Sequence, residues 1–347
     1  MRAKKTRQER LSARYRDILE FERLHPVSST TSYRGFRPVD ASQPLCLIAQ
    51  IQRSGGSLLA KLFDGHSRVH AYPHELYINR YTEMEWPELD VRKRPADLFT
   101  EIAMAHAHEV WKFLNFGYQK YGGQQGSRRW PYLYSMTVHR EVFIEQLERS
   151  RPQRLRDIIS AYMTGFFSAW LDYQQRYVEG KKLVAVFAKR HNWPDQAARF
   201  FAEYPDGYMI SLIRHPIHWY GSAKPHSAEY QDIGRAVALW SESVNGTLLA
   251  KSRWPDRVVV LSFDELITDA ERTMRRVSAR LGIGWEKALA HPTFNGMPFL
   301  SNSSARPVEG IDSSALSRAQ GNLAQSEIDY IERNALALYE RCRTFFE

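Results

Sequence analysis

The sequence has little cysteine: Cys46 and Cys342 are the only two among 347 residues. Two cysteines so far apart provide neither a disulfide framework nor the ligand spacing of a zinc site, so we expect a reducing, cytoplasmic compartment. The sequence also lacks an uninterrupted apolar stretch of roughly 18 residues, and no membrane span is predicted. Residues 1–23 are charged throughout and lack the apolar run of a signal peptide.

Apolar residues and positive charge, by contrast, are abundant. Hydrophobic residues make up 43% of the chain and include nine tryptophans, so a substantial core is expected and wholesale disorder is excluded. The formal net charge of +9 predicts an anionic partner. Nucleic acid, a polyanionic cofactor, an acidic glycan or an acidic peptide fits that charge equally well. Residues 1–40 are predicted to be a basic arm or a solvated helix.

Several apolar runs rich in β-branched residues are typical of buried parallel strands. They lie at 45–51, 183–188, 208–213 and 258–263, with a shorter candidate at 69–72. Helical patterns separate them, which predicts an α/β fold with a central, mostly parallel sheet flanked by helices in three layers. Asn192 is predicted to cap a helix that has Pro194 in its first turn, and Asp269 to cap another.

The middle of the chain differs from its flanks. Residues from about 76 to 180 contain no strong strand pattern and are rich in tryptophan and tyrosine. We therefore expect a single domain over 41–347 with a helical insertion at about 76–180. Its aromatic residues could stack against a sugar or simply pack in a core; they include Trp86, Trp111, Trp130, Tyr132 and Tyr134.

A short glycine loop follows the first strand. Glycines let backbone N–H groups turn inward onto one anion, and an arginine and serines there add donors. The loop reads Gln52-Arg53-Ser54-Gly55-Gly56-Ser57-Leu58. It has no lysine immediately before the serine, as a Walker A loop would. Taken alone, it indicates either a phosphate cradle or an ordinary glycine-rich βα turn.

A second candidate site follows the strand at 208–213. Arg214 stands at the end of that strand, Pro216 opens the next helix, and Ser222 comes eight residues after the arginine. An arginine at the carboxyl end of a strand points into the ligand crevice of an open α/β sheet. A structural ion pair is the alternative interpretation of Arg214.

Together, these motifs resemble the sulfotransferase family that uses 3′-phosphoadenylyl sulfate (PAPS), nearer its bacterial, Golgi-like and tyrosylprotein branches than its cytosolic branch. Further similar motifs follow in family order: 62–66 (Leu-Phe-Asp-Gly-His), 187–189 (Phe-Ala-Lys), 260–266 and 302–304 (Asn-Ser-Ser). The sequence departs from the family pattern where Gln52 replaces proline, Gly56 replaces threonine and His215 replaces aspartate. The resemblance implies a P-loop-type fold and sulfuryl transfer from PAPS to a hydroxyl, possible without a metal.

The resemblance also implies roles for individual residues. It assigns the 5′-phosphosulfate to Arg53, Ser54, Gly55, Gly56, Ser57 and Leu58, the 3′-phosphate to Arg214 and Ser222, and a closing loop to Ser303 and Ser304. Arg53 and Lys189 would stabilise the charge that develops during transfer. The base would be His74 or Glu75, which lie just past the short strand and face opposite ways if extended. We favour Glu75.

The acceptor and the reaction class leave alternatives open. A glycan, a lipid-linked sugar, a peptide or a small metabolite each offers a hydroxyl, and we lean slightly to a carbohydrate. The alternatives are a P-loop nucleotide kinase or phosphotransferase, and a non-catalytic polyanion-binding protein. Nucleic acid is not expected as a partner, because aromatic and basic residues do not interleave. No set of metal ligands is recognised, and the oligomeric state is left open.

Overall fold

The fold is taken from a computed structural model, which describes residues 6–24, 39–76, 86–114, 134–189, 192–299 and 308–347. The chain divides into two compact units. The first unit comprises Met1–Gln43 and His74–Val184, and the second comprises Pro44–Pro73 and Ala185–Glu347. The expectation of one domain with a helical insertion stays a prediction.

A parallel sheet of five strands is present in the described part of the chain. Its strands are β1 Leu45–Ile48, β2 Val69–Glu75, β3 Leu183–Phe187, β4 Tyr208–Ile213 and β5 Val258–Ser262, in the order β2-β3-β1-β4-β5. Cys46 lies opposite Tyr208, and Met209 lies opposite Val258. Residues on both faces of β1 and β5 are buried, which explains why these strands read as continuous apolar runs. The predicted α/β class is confirmed.

Two strand ends differ from prediction. β4 occupies the predicted range, but β1 ends at Ile48 rather than at residue 51. The reason is that the Ile51 amide donates to Ser243 Oγ at 3.1 Å instead of to a neighbouring strand. β2 extends to Glu75, three residues beyond the predicted end.

Helices flank this sheet and form most of the first unit. They are α1 Arg7–Leu24, α2 Gly56–Leu62, α3 Pro95–Leu114, α4 Met136–Ser150, α5 Leu155–Ala169, α6 Leu171–Arg176, α7 Pro194–Glu203, α8 Pro216–Ala223, α9 Ile233–Arg253, α10 Phe263–Thr268, α11 Ala270–Arg280, α12 Ala315–Gly321, α13 Gln325–Ile331 and α14 Ala337–Arg343. A π-helical turn joins the last two, and a small hairpin pairs β6 Thr293–Phe294 with β7 Met297–Pro298. Among the described helices, none has the length and apolar character needed to cross a membrane.

The first unit has an aromatic core around a buried histidine. His139 Nε2 lies 2.8 Å from the Tyr162 carbonyl, and its Nδ1 pairs with the Tyr134 hydroxyl. The ring of Phe99 packs edge-on against His139 at 5.0 Å. Trp86 and Tyr134 are buried, so both belong to the core. Trp130 and Tyr132, and the side chain of Trp111, lie outside the described residues.

One predicted helix cap is wrong and another is confirmed. Trp193, not Asn192, occupies the cap position of α7. The buried Asn192 side chain instead donates to the Ser243 carbonyl at 2.7 Å and to Thr247 Oγ1 at 2.9 Å, both on α9. Asp269 caps α11 as expected, because its side chain accepts the amide of Arg272 at 3.0 Å.

Candidate active site

The loop after β1 requires glycine at two positions. Gly55 has φ 98 and caps α2, and its carbonyl accepts the amide of Leu58 at 3.0 Å. A Cβ on Gly55 would lie 2.3 Å from the Phe263 ring. A Cβ on Gly56 would lie 2.4 Å from the ring of Phe187. Both approaches are too close for any side chain, so the loop backbone packs tightly against its neighbours.

The two predicted halves of the anion site meet at Arg53 and Ser222. The Arg53 guanidinium donates to Ser222 Oγ through Nε at 3.3 Å and through Nη2 at 3.2 Å. Arg53 itself adopts a left-handed backbone with φ 68. Ser222 lies on α8, the helix that Pro216 opens as predicted. The strand-end motif and the glycine loop therefore share one polar cluster.

Arg214 is a buried cation beside that cluster. Its side chain is only 4% exposed, its Nη1 donates to the Arg53 carbonyl at 3.1 Å, and it lies over the Phe263 ring at 4.6 Å. Its Nη2 reaches the Ala315 carbonyl at 3.3 Å. Within the described ranges Arg214 forms no ion pair with a carboxylate, and its buried Nε has no hydrogen-bond partner. The structural ion pair considered from the sequence is therefore not what holds Arg214.

The electrostatics around Arg214 favour an anion. Burial lowers the pKa of the guanidinium to about 10, with Arg53 acting in the same direction and Asp264 opposing it. Arg214 therefore still carries its charge at neutral pH. Two cationic groups lie close together here, and no carboxylate neutralises the buried one directly, so an incoming anion would gain charge-assisted hydrogen bonds.

Asp264 supports the turn that carries Arg214. Its Oδ2 accepts the His215 amide at 3.0 Å, and its Oδ1 pairs with His218 Nδ1. Burial alone would raise the pKa of Asp264, but the hydrogen bonds from His218 and from the His215 backbone outweigh it and lower that pKa. The His215 ring packs edge-on against Tyr339 at 4.7 Å. Burial, with His218 next in importance, lowers the pKa of His215.

The remaining residues predicted to bind the donor, and the predicted catalytic residue Lys189, differ in burial. Ser54 is 1% exposed, and its Oγ has no hydrogen-bond partner in the described part of the chain. Ser57 and Leu58 are half-buried in the first turn of α2. Lys189 is half-buried just after β3, which neighbours β1 in the sheet. Ser303 and Ser304 lie outside the described residues.

The two candidate bases end strand β2 and belong to the first unit. His74 is 5% exposed, and its ring packs edge-on against Phe166 at 5.8 Å. Glu75 is half-buried. Successive residues of a strand face opposite ways, so the burial of His74 leaves the other face to Glu75.

The motif after the glycine loop has a structural part in the second unit. Asp64 Oδ2 accepts the Gly296 amide at 2.8 Å and the Thr293 hydroxyl at 2.6 Å. The buried His66 contacts the Gly284 carbonyl at 3.1 Å through Nε2. These residues fix the β6–β7 hairpin and a glycine turn rather than a ligand.

Sequence reasoning missed the side chains that hold the loop. The Trp219 indole donates to the Gln52 carbonyl at 2.8 Å, and the Tyr230 hydroxyl donates to the Gln52 side chain. One signal was available: Trp219 precedes Ser222 by three residues in one predicted helix, so both share a face. Tyr230 carries no such signal, because its contact depends on how the chain returns after α8.

Residues 44–287 match the Sulfotransferase family. This match covers well over half of the chain. The protein therefore belongs to the sulfotransferase family, as predicted, and is a sulfotransferase enzyme. Its branch within the family stays a prediction. No curated protein matches the sequence. Within the described residues, no group of three or more histidine, cysteine or acidic side chains could hold a metal ion.

Solved structures similar to this chain include three sulfotransferases. The sulfotransferase domain from the curacin biosynthetic pathway is 15% identical, with a TM-score of 0.44, and the match covers 84% of this chain and 96% of that one. The sulfotransferase domain from the Synechococcus PCC 7002 olefin synthase is 15% identical, with a TM-score of 0.45 and coverage of 86% and 97%. A sulfotransferase from Alicyclobacillus acidocaldarius is 16% identical, with a TM-score of 0.37 and coverage of 74% and 86%.

Proposed function

We propose that this sulfotransferase uses PAPS as its donor and transfers the sulfuryl group to a hydroxyl acceptor. The observation that carries the proposal is Arg214, a buried guanidinium held only by backbone carbonyls and an aromatic ring among the described residues. Arg53 and Ser222 lie beside it. PAPS carries a 3′-phosphate in addition to its 5′-phosphosulfate, so it offers one anionic group to each of the two motifs.

The residues present fit such a donor. The loop glycines bring the backbone close to its neighbours, where a Cβ would collide. In the described part of the chain, the buried Ser54 Oγ and Arg214 Nε have no hydrogen-bond partner. Buried polar groups without partners are rare in native structures, and a phosphate oxygen would satisfy both kinds of donor. We assign the 5′-phosphosulfate to the glycine loop and the 3′-phosphate to Arg214 and Ser222.

For sulfuryl transfer, this chain has to stabilise the leaving oxygen, contact the sulfuryl oxygens and remove the proton of the acceptor hydroxyl. Bound PAPS would supply an electrophilic sulfur with PAP (adenosine 3′,5′-bisphosphate) as the leaving group. Arg53 stabilises the negative charge that grows on the leaving oxygen, and Lys189, which follows the neighbouring strand, assists at the sulfuryl oxygens. The acceptor hydroxyl loses its proton to a carboxylate as its oxygen bonds to sulfur.

Glu75 is the proposed base. His74 packs its ring against Phe166 and is almost fully buried, whereas Glu75 keeps part of its side chain exposed. A base has to reach the acceptor hydroxyl, directly or through one water. The partial exposure of Glu75 therefore supports it over His74.

The acceptor is proposed only as a hydroxyl compound. Trp86 and Tyr134, two of the aromatic residues that favoured a carbohydrate, are buried in the core of the first unit. They therefore give no support to sugar stacking. A glycan, a lipid-linked sugar, a peptide and a small metabolite are all consistent with the donor site.

Calorimetric titration of the purified protein with PAP and PAPS tests the donor assignment. We expect saturable binding of both, without added metal. Titration with ATP and Mg²⁺ in parallel tests the kinase alternative, which requires ATP binding in place of PAP. An intact fold that binds neither PAP nor PAPS would contradict the proposal. Sulfation assays with Glu75→Gln and His74→Asn then test the base, and we expect the first variant to lose far more activity.

A further inference from the structure

Arg53 has a backbone conformation that needs outside support. Its φ of 68 lies in the left-handed region, which is unfavourable for any residue with a Cβ. Such a residue persists only where the surrounding structure fixes it. The proposed function places the Arg53 guanidinium at the leaving group, so a loss of this backbone conformation would displace a charged donor from the donor site.

The preceding residue, Gln52, is held from both its backbone and its side chain. Its carbonyl accepts the Trp219 indole N–H at 2.8 Å. Its side-chain oxygen accepts the Tyr230 hydroxyl. The two aromatic rings pack edge-on at 5.5 Å, so each also fixes the other. Trp219 lies on α8, three residues before Ser222, which itself contacts Arg53.

Both aromatic residues are buried, and a polar atom of each is already bonded to Gln52. Trp219 is 1% exposed and Tyr230 is 0% exposed. Their hydrogen bonds to Gln52 connect them to the loop that precedes Arg53. Arg214 and Ser222 also hold Arg53, but they belong to the anion site itself. The two aromatic side chains are therefore separable from the groups that bind the donor.

We propose that Tyr230 and Trp219 are positioning residues that hold Gln52 and thereby keep Arg53 in the left-handed conformation competent for donor binding. This proposal rests on the donor assignment made above. It extends the site to residues that never touch the donor.

The test removes one hydroxyl at a time. Tyr230→Phe deletes the hydroxyl that donates to Gln52, and Tyr204→Phe is the matched control, since Tyr204 is equally buried but caps α7. PAP affinity is measured by calorimetry in wild type, both tyrosine variants, Gln52→Leu and Gln52→Leu/Tyr230→Phe. Hydrogen exchange in the ligand-free protein is followed over residues 50–59, where Leu58 and Leu59 bond to the Gly55 carbonyl.

We expect Tyr230→Phe to weaken PAP binding about three- to tenfold and to accelerate exchange over residues 50–59 by a similar factor, as the loss of one hydrogen bond implies. Tyr204→Phe should change neither, and in the Gln52→Leu background Tyr230→Phe should add nothing. Equal effects of the two tyrosine variants, or an undiminished effect of Tyr230→Phe in that background, would overturn the proposal. If Tyr230→Phe does not fold, Gln52→Leu alone should show the weaker PAP binding and the faster exchange over residues 50–59 that are expected here.

A failure of the donor assignment is distinguishable from a failure of this proposal. Wild-type protein that does not bind PAP contradicts the donor assignment. The exchange measurement needs no ligand, so faster exchange specific to Tyr230→Phe would still establish that Tyr230 positions the loop. Unchanged exchange would overturn the positioning role whatever the ligand.

Discussion

The two motifs of the proposed anion site, the loop after β1 and the turn after β4, are stabilised in different ways. The turn after β4 has a local part, Pro216 at the start of α8, and a more distant part, Asp264, which lies 49 residues beyond His215 and accepts its amide at 3.0 Å. Arg214 in that turn is nearly fully buried. The loop after β1 is held by side chains 167 and 178 residues farther along the chain, because Trp219 and Tyr230 hold Gln52, the residue that precedes Arg53.

Because of this difference, Arg214 is expected to contribute to binding mainly through its charge, and Arg53 through the position that its backbone gives it. Burial fixes Arg214 whether or not a ligand is bound, so its contribution to binding is mainly electrostatic. The position of Arg53 depends on a left-handed backbone that other side chains maintain. Charge-removing substitutions should therefore act most strongly at the turn, and shape-changing substitutions at the loop.

The largest effect is expected from Arg214→Met, which removes the buried charge. PAP binding should weaken about 100-fold or more, since a charge-assisted hydrogen bond to a phosphate is lost in a buried site. The thermal midpoint of the ligand-free protein should not fall, because a buried cation without a paired carboxylate is itself costly. Calorimetry and a thermal melt measure the two quantities.

Arg257→Met is the matched control for Arg214→Met. Arg257 lies over the Tyr208 ring at 5.0 Å, at the opposite end of β4. Its replacement should leave PAP affinity unchanged. A loss of less than tenfold in Arg214→Met, or an equal loss in Arg257→Met, would contradict the assignment of the 3′-phosphate to Arg214.

The second-largest effect is expected from Gly56→Ala, which changes the packing of the loop. Gly56→Ala would place a Cβ 2.4 Å from the Phe187 ring, so we expect a loss of about 2–3 kcal/mol in the free energy of unfolding, measured with urea. Gly321→Ala is the control, because its Cβ would meet no atom within 4 Å. The control should be neutral or slightly stabilising. A Gly56→Ala variant as stable as wild type would show that the loop has room for a Cβ at this position.

The turn was the more predictable of the two motifs, and the reason is physical. An apolar run followed by Arg214 and Pro216 is a local signal, since strand burial and the fixed φ of proline act within a few residues. The strand end and the start of α8 were therefore placed correctly. Ser222 lies about 1.7 helical turns beyond Pro216, which brings it to the same site.

The support of the loop was not predicted, because it depends on contacts distant in sequence, and only the helical spacing of Trp219 and Ser222 pointed towards it. Gln52 meets Trp219 and Tyr230 only after the chain has passed through β4 and α8. The same cause explains the wrong cap at Asn192, whose side chain found partners on α9. Local propensity favours asparagine at a cap, but burial against another helix prevailed.

A smaller, pH-dependent loss of stability is expected from Asp264→Asn, which removes a contact that supports the turn and not the loop. Asp264 has a lowered pKa in the folded protein, so its contribution to stability is present above the ordinary carboxyl pKa of about 4 and is lost as pH falls below it. Asp264→Asn should cost about 1–2 kcal/mol at pH 7. The difference from wild type in urea unfolding should shrink as pH falls below about 4. A difference that stays constant with pH would contradict the charged role of Asp264.

The smallest effect on stability is expected from a change at His215, whose backbone amide donates to Asp264. Burial lowers the pKa of His215 in the folded protein, so the unfolded chain binds more protons than the folded one. The stability of the folded protein therefore falls as pH drops from about 7 through the ordinary histidine pKa of about 6.5. His215→Asn should change stability at pH 7 by about half a kcal/mol or less and should flatten this part of the pH profile. The matched control is the same change at an exposed histidine far from the turn in sequence, His291→Asn. An unaltered slope in His215→Asn would show that the pH dependence of the turn does not originate in His215.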